Sequence, residues 1–412
     1  RCPVLIYDRP EGKRIMSSLD DDIEPMREEE IIENFVAPAY QVLRDFRDLD
    51  IAHRAIRPSN LYMGSEKGKR FIIGDCISSP PAMAQSFVYE PIESCMANPA
   101  GRGTGISADD MYALGVTILT LLTGHSPCRG MTDEEILEAK LGKGSYGALT
   151  QSTRISLTMM EALRGLLNDD HDERWTVDDI GMWANGRRGS PVQQSMESRA
   201  SRAFSFMNKD HFTCRELAHS MVNNWSRSIN IIRDGTLDTW LRRALGDDAK
   251  VNAFNDAKTV TELEDQDDNL IARCCIALDP DAPVRFREFR ATVEGFPNML
   301  ALYGESGDTK NAFAQILQYG IIDFWDSSQP RTRIDLVTLY RDLKRAREIM
   351  SRTASGEGIE RVIYDINPTP PCLYQLVDEY YVIDIDHLLP ALDRLAANSD
   401  QARSLIARHL ST

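Results

Sequence analysis

The segment from Ser107 to Gly124 limits the fold of this chain more than any other stretch of the sequence. Ser107 and Asp110 have the Ser-x-x-Asp spacing of a helix start, and the segment ends in Leu-Leu-Thr-Gly. Between these ends, apolar residues cover nearly the whole surface of the helix instead of one stripe. Such a helix is buried on most of its sides, so the sequence predicts a core helix with other elements packed around it.

Composition restricts the partners of the chain. Its 412 residues predict two or three domains, and a hydrophobic content of 42% with 27% charged residues is typical of soluble globular proteins. The 47 Lys and Arg against 63 Asp and Glu leave a net charge of −16, which repels phosphate backbones and anionic lipid headgroups. No apolar run approaches the length of a membrane span. We therefore expect a protein or small-molecule partner, no nucleic acid and no membrane span.

Cysteines and histidines are spaced in ways that argue against disulfides and zinc. The eight cysteines contain no Cys-x-x-Cys motif, and the only close pair, Cys274 and Cys275, is adjacent in sequence. The seven histidines form neither His-x-x-His nor His-Glu-x-x-His. We expect free thiols in a reducing compartment, and hence a cytoplasmic location.

An amphipathic helix is predicted from about Glu28 to Leu49, where apolar residues recur every three or four positions. Pro38 lies inside this pattern and is expected to kink the helix or to move its boundary. The polar stretch that follows reads Ile51-Ala-His-Arg-Ala-Ile-Arg-Pro-Ser-Asn60. After a turn rich in Gly and Lys comes the short apolar run Phe71-Ile-Ile-Gly-Asp75, a predicted strand with an aspartate at its end.

Residues 51–60 resemble the catalytic loop of the protein-kinase superfamily, His-Arg-Asp-x-Lys-x-x-Asn. The resemblance implies mainly architectural roles for His53 and Arg54, and a role for Asn60 in holding a second metal ion. Ala55 takes the place of the catalytic aspartate and has no proton acceptor. Arg57 replaces the lysine of that loop and changes a point charge into a planar fork of donors.

Asp75 matches the first residue of the metal-binding Asp-Phe-Gly motif, with Cys76 and Ile77 in place of Phe and Gly. Two interpretations stay open. Asp75 and Asn60 are candidate ligands of Mg²⁺, which takes oxygen ligands and few of them from protein. Alternatively, Asp75 is an aspartate at a strand end that accepts hydrogen bonds from loop amides.

Three further matches are structural in kinases. Asp110, in the core helix, is expected to bind the backbone of the catalytic loop, and Glu93 is expected to pair with Arg174. The resemblance covers about residues 3–185, with Pro3 to Tyr7 similar to the fifth strand and the hinge. The glycine-rich loop and the strand lysine that hold ATP phosphates have no counterpart, so the N-lobe is largely absent from this chain. Because the chain begins at Arg1, we expect residues upstream of it.

The second half shows helical patterns without a clear repeat. One apolar stripe predicts a helix from Arg215 to Ile232, and further helices are predicted at Thr236 to Leu245, Leu270 to Leu278, Met299 to Tyr303, Asn311 to Tyr319, Ile334 to Met350, Leu373 to Tyr381 and His387 to Ala397. Residues 186–203 are polar and locally basic, and are predicted to be a linker or a strap across the first domain. Residues 204–412 are predicted to form an irregular helical domain, either a bundle or a helical array. Its tryptophans, Trp225, Trp240 and Trp325, are core residues or anchors for a partner. The fold class is therefore mainly α, with a kinase-like C-lobe of residues 1–185 followed by helices.

These features favour a catalytically inactive pseudokinase that acts as a protein-binding scaffold or regulator, with no cofactor beyond weak binding of Mg-ATP at Asn60 and Asp75. One alternative is an atypical nucleotide-dependent transferase, a kinase or a nucleotidyl transferase, whose N-lobe is missing or supplied elsewhere. Another is a helical adaptor that uses the kinase-like lobe as a stabilising platform. The sequence leaves the oligomeric state open.

Overall fold

The computed structural model is mainly helical, with three small antiparallel sheets among the residues that it describes. It describes residues 6, 8–10, 12–64, 70–151, 153–187, 197–259, 266–304, 306–330, 333, 336–350, 352, 354, 356–367 and 370–398. The predicted strand and hinge from Pro3 to Tyr7 lie outside the described residues except for Ile6. No helix in the described ranges has both the length and the apolar character to span a membrane.

The helices are labelled in chain order. In the first half they are α1 (Glu28–Ile31), α2 (Ala37–Asp48), α3 (Ile92–Met96), α4 (Ser107–Thr123), α5 (Asp133–Thr150), α6 (Leu157–Leu166) and α7 (Val177–Ala184). In the second half they are α8 (Cys214–Asn223), α9 (Trp225–Arg233), α10 (Thr236–Trp240), α11 (Asp248–Thr259), α12 (Asp267–Leu278), α13 (Phe296–Tyr303), α14 (Gly307–Gln318), α15 (Ile321–Ser327), α16 (Val337–Met350), α17 (Ile359–Ile366) and α18 (Ile385–Asn398).

Helix α4 is the core of the first half, as its apolar surface predicted. All its residues from Asp110 to Leu121 are buried, and α1, α2 and α6 pack around it. Gly124 ends the helix in the left-handed conformation with φ 78°, which glycine adopts without steric cost. The start differs from the prediction, because Asp109, not Asp110, accepts the N–H of Ile106 at 2.9 Å. Asp110 is thereby left for another contact.

The amphipathic helix predicted before the loop continues through Pro38 without a break. A π-helical turn, Ile32–Val36, joins α1 to α2, and the N–H of Ala37 bonds to the carbonyl of Ile32. Pro38 then occupies the first turn of α2, where its missing N–H costs little. The wider turn therefore replaces the expected kink, and α2 packs against α4 and α7.

A three-stranded antiparallel sheet lies beside this helix pair. It consists of β1 (Lys13–Arg14), β2 (Leu61–Met63) and β3 (Phe71–Ile73) in that order, with Leu61 opposite Ile73. Because β2 begins directly after Asn60 and β3 ends just before Asp75, their pairing brings the two candidate ligands to the same end of the sheet.

The second half contains two units built in the same order. In the first, a hairpin of β4 (Phe204–Phe206) and β5 (Lys209–His211) is followed by Thr213, which caps α8. In the second, a hairpin of β6 (Val284–Phe286) and β7 (Phe289–Ala291) is followed by Thr292, which caps a 3₁₀ turn that leads into α13. Neither the hairpins nor this repeated order was predicted from the sequence.

Most helices predicted in the second half are present, with two differences. The stripe that suggested one helix from Arg215 to Ile232 is divided into α8 and α9 at Asn224, whose φ of −127° is not helical. The segment predicted as a helix from Leu373 to Tyr381 is a 3₁₀ helix, Gln375–Tyr380. Trp240 and Trp325 are buried in the core, and Trp225 donates its indole N–H to Asp268 at 2.6 Å.

The two halves pack directly against each other. The N–H of Asn98 bonds to the carbonyl of Arg290, and the N–H of Thr292 bonds to the carbonyl of Gly101, each at 2.9 Å. Ala282 from the second half shares an apolar cluster with α3 and α5, and His219 contacts Glu134 at 2.8 Å. Of the predicted linker, residues 188–196 lie outside the described part, whereas Ala200 is buried in the core of the second half.

Candidate functional site

The loop that resembles a catalytic loop is attached to the core helix through Asp110. The two carboxylate oxygens of Asp110 accept the backbone N–H groups of His53 and Arg54 at 2.6 and 2.8 Å. Arg54 has a φ of 58°, a left-handed conformation that is uncommon outside glycine and is held here by this pair of hydrogen bonds. The contact expected from the resemblance is therefore present, and it determines the path of the chain just before Ala55.

Arg54 forms a buried ion pair underneath the loop. Its guanidinium lies 3.1 Å from Glu90 and 2.5 Å from Asp109, and both Arg54 and Glu90 are less than a tenth exposed. Burial by itself lowers the pKa of Arg54, but the surrounding carboxylates, first of all Glu90, raise it well above its ordinary value. The guanidinium is thus held by carboxylates in the protein interior and is not available to a ligand.

The second expected pair, Glu93 with Arg174, is also present. The two charged groups lie 3.7 Å apart, and Arg174 is buried. Arg174 additionally donates to the carbonyls of Asn168 and Ala108 at 2.8 and 3.0 Å, which connects the turn before α7 to the start of α4. These contacts hold α3, the start of α4 and the turn before α7 together.

Asn60 is held by the backbone on both sides of its side chain. Its amide nitrogen donates to the carbonyls of Ala55 at 3.0 Å and Asp75 at 2.7 Å. Nearby, the Nε2 of His53 lies 3.2 Å from the carbonyl of Gly74, and burial lowers the pKa of His53. The Asn60 side chain therefore links the loop to the end of β3. Asp75 itself is exposed.

Arg57 is also engaged within the loop. It donates to the side chains of Gln85 at 2.8 Å and Ser59 at 3.1 Å, and Gln85 in turn donates to the carbonyl of Ile56. Burial lowers the pKa of Arg57 from its ordinary value. The lysine of a kinase loop is a flexible point charge, whereas this planar guanidinium is held in the frame of the loop.

The loop brings together a narrow set of chemical groups. Ala55 presents a methyl group where a kinase has its base, so the position cannot accept a proton. The groups that could hold Mg²⁺ are the oxygen of Asn60 and the carboxylate of Asp75. Within the described ranges, no cluster of three or more His, Cys, Asp or Glu has the geometry of a metal site. The arrangement therefore holds the backbone of the loop against the end of β3.

Sequence reasoning missed Lys140, which is fully buried in α5. Its ammonium donates to the carbonyls of Glu90 at 2.7 Å, Phe87 at 2.8 Å and Val88 at 3.3 Å. A signal existed, because Lys140 follows Ile136 by four residues and therefore lies on the apolar face of the helix.

Arg102, also buried, was missed as well, and nothing in its neighbourhood in the sequence marks it. It donates to the carbonyls of Ala82 and Gln85 at 3.1 and 2.9 Å. Lys140 and Arg102 together hold much of the segment from Ala82 to Glu90 by its backbone carbonyls. This segment follows Asp75 in the sequence and is thus fixed from two sides.

We expect Gly74→Ala to lower the free energy of unfolding by about 1–3 kcal/mol, because a methyl group at this position overlaps the side chain and carbonyl of Asn60. Urea unfolding measures the change. The control is Gly147→Ala in α5, where the nearest atom is the Cβ of Lys143 at 3.5 Å and a neutral or slightly stabilising effect is expected. Equal effects of the two substitutions would show that Asn60 is not held tightly at the strand end.

Comparison of the sequence with models of protein families gives no match, and comparison with curated proteins gives none either.

Proposed function

We propose that residues 1–185 are a C-lobe of the protein-kinase type and that the protein is a catalytically inactive pseudokinase. In this proposal it acts as a protein-binding scaffold or regulator in the cytoplasm. The proposal rests on the contacts of three loop residues. The charged and amide groups of Arg54, Arg57 and Asn60 all bind other parts of the lobe. The free thiols of the described cysteines agree with a reducing compartment.

Loss of the base alone does not decide against catalysis, since general-base catalysis contributes about 10²–10⁴-fold. Phosphoryl transfer depends mainly on positioning and on neutralising charge, and this loop offers only Asn60 and Asp75 for that purpose. The amide nitrogen of Asn60 is bound to two carbonyls, which restricts its side chain to a structural position. We infer weak binding of Mg-nucleotide at most, and no transfer.

One observation favours the second candidate function, an atypical nucleotide-dependent transferase. The Asp75 residue is exposed next to Asn60, at the end of the sheet where the resemblance places a metal ion. Such an enzyme would need nucleotide contacts from other residues or from another chain. The two candidates therefore differ in whether the chain binds nucleotide in an Asp75-dependent way.

Thermal unfolding with ATP, in the presence and absence of Mg²⁺ and Mn²⁺, distinguishes these candidates. We expect no rise in the midpoint temperature of unfolding for the wild-type chain. We also expect no autophosphorylation or nucleotidylation by Ala55→Asp, because restoring the carboxylate does not restore a phosphate clamp. The control is Asp75→Ala, which should behave as the wild type. A metal-dependent rise that disappears in Asp75→Ala would refute the inactive assignment and support the transferase.

A further inference from the structure

A cavity of about 490 Å³ lies in the second half, between α14, α15 and α16, and is separate from the loop described above. Its floor is apolar and consists of Ile316, Leu317, Ile322 and Leu343, each of which is buried. This size is typical of small-molecule sites, which bury an apolar body and fix its orientation with a few polar groups. A medium-sized apolar group therefore fits the cavity floor.

The rim of the cavity carries charged side chains of α15 and α16. Lys344 lies 3.3 Å from Asp323, and both side chains are more than half exposed, so their mutual attraction is weak. Arg347 donates one N–H to the carbonyl of Gln318 at 3.1 Å. Its other N–H groups have no acceptor among the described residues, so the guanidinium can bind an additional anion at the cavity edge.

Two acidic side chains, Asp323 and Glu348, line the cavity together with the two basic ones, Lys344 and Arg347. The donors of Arg347 that have no acceptor among the described residues favour an anion at the cavity edge. The chain as a whole carries −16, and α16 contains four basic residues and two acidic ones, with three of the four bases paired to an acidic side chain. A planar guanidinium matches the two oxygens of a carboxylate, to which it donates two parallel hydrogen bonds. The apolar floor would thus hold one end of a ligand, and the guanidinium of Arg347 would hold the other end.

We propose that this cavity binds an amphipathic carboxylate, with its apolar tail on the floor and its carboxylate on Arg347 and Lys344. The tail would gain free energy from leaving water, and the head would replace the water that hydrates the arginine. This site is independent of the proposed pseudokinase function, because it uses none of the residues of the loop or of the lobe.

Calorimetric titration of the full chain with decanoate, below the concentration at which decanoate aggregates, tests the proposal. We expect saturable one-to-one binding of decanoate, with decylamine and butyrate binding at least tenfold more weakly because they lack the anionic head or the apolar tail. Decyl phosphate is the fourth probe and distinguishes a carboxylate site from a site for any anionic head. Binding of decyl phosphate more tightly than decanoate would overturn the assignment to carboxylates.

Arg347→Gln is the decisive variant, since Arg347 is exposed and its replacement leaves the floor intact. We expect about a tenfold to hundredfold weaker binding of decanoate, the loss typical of a charge-assisted contact. The matched control is Arg341→Gln on the same helix, which is exposed, does not line the cavity and should bind decanoate like the wild type. The proposal is overturned if decylamine binds as tightly as decanoate, if both variants lose affinity equally, or if no binding heat is measured.

Discussion

Replacing Arg54 by Met is expected to lower the free energy of unfolding by about 3–5 kcal/mol, the usual cost of removing one partner from a buried ion pair. Glu90 is buried, and its remaining neighbouring cations would be Arg102, 3.9 Å away, and Lys140, which bonds the Glu90 backbone carbonyl. Methionine is similar in length to arginine and, like arginine, must adopt the left-handed backbone conformation at this position. The substitution therefore mainly removes the charge. Urea unfolding of the intact chain at neutral pH measures the loss.

The control for this variant is Arg47→Met, which removes a partly exposed arginine from its pairs with the exposed carboxylates of Asp48 and Asp178. It should cost less than about 1 kcal/mol, because exposed pairs contribute little. If Arg54→Met costs no more than Arg47→Met, the buried pair does not stabilise the lobe and the interpretation of the loop as a structural element is wrong.

The same variant has an expected pH dependence. Burial raises the pKa of Glu90, and Arg54 is the strongest influence that lowers it again. Without Arg54 the pKa of Glu90 rises further, so that the folded variant holds its proton more tightly than the unfolded chain does. The deficit of Arg54→Met relative to the wild type should therefore shrink as the pH falls from 7 toward 5. A deficit that stays constant over this range would exclude Glu90 as its source.

Replacing Lys140 by Met is expected to cost about 3–5 kcal/mol as well, because three backbone carbonyls lose a charged donor at once. Methionine fills a similar volume, so a cavity contributes little to this loss. The effect should be localised: amide hydrogen exchange at residues 87–90 should accelerate more than exchange in α6, which lies elsewhere around α4.

Lys143→Met is the matched control, since Lys143 is exposed on the same helix and donates to the side chain of Gln151. Its effect on stability should stay within about 0.5 kcal/mol. Lys140 also supports the segment that contacts the second half, where Ala282 packs with Ile92 and Leu137. We therefore expect Lys140→Met to separate one unfolding transition into two; a single transition with unchanged exchange at residues 87–90 would contradict this role.

Local patterns in the sequence predicted many of the helices. The continuous apolar surface of α4 and the spacing of apolar residues before the loop correspond to buried faces in the structure. The sequence also has the Thr-x-x-Glu spacing of a helix start at Thr132 and Glu135, and α5 begins there, with the two side chains bonded to each other's backbone. These predictions succeed because helix caps and periodicity depend on residues within one or two turns of each other.

Short strands and breaks between helices were predicted less well. The hairpins of three-residue strands have too few residues for alternation to appear in the sequence. Asn224 divides a stripe that is continuous in apolar character, so periodicity alone does not reveal the break. In the first half, the sequence combines a helical apolar pattern with Pro38, which disfavours a helix interior. The π-helical turn before Pro38 allows the helix to continue through it.

The sequence by itself determined the helical character of the chain, the burial of α4 and the absence of a carboxylate at Ala55, since these depend on residue type and on neighbours in the chain. The tertiary structure decided what the polar residues of the loop do. Arg54 meets Glu90 from 36 residues away, and Lys140 meets Phe87 from 53 residues away. The packing of the two halves likewise joins Asn98 to Arg290. Such pairings arise because packed helices bring together backbone groups and charged side chains that are distant in the sequence. In the dry interior a buried polar group is stable only with a partner.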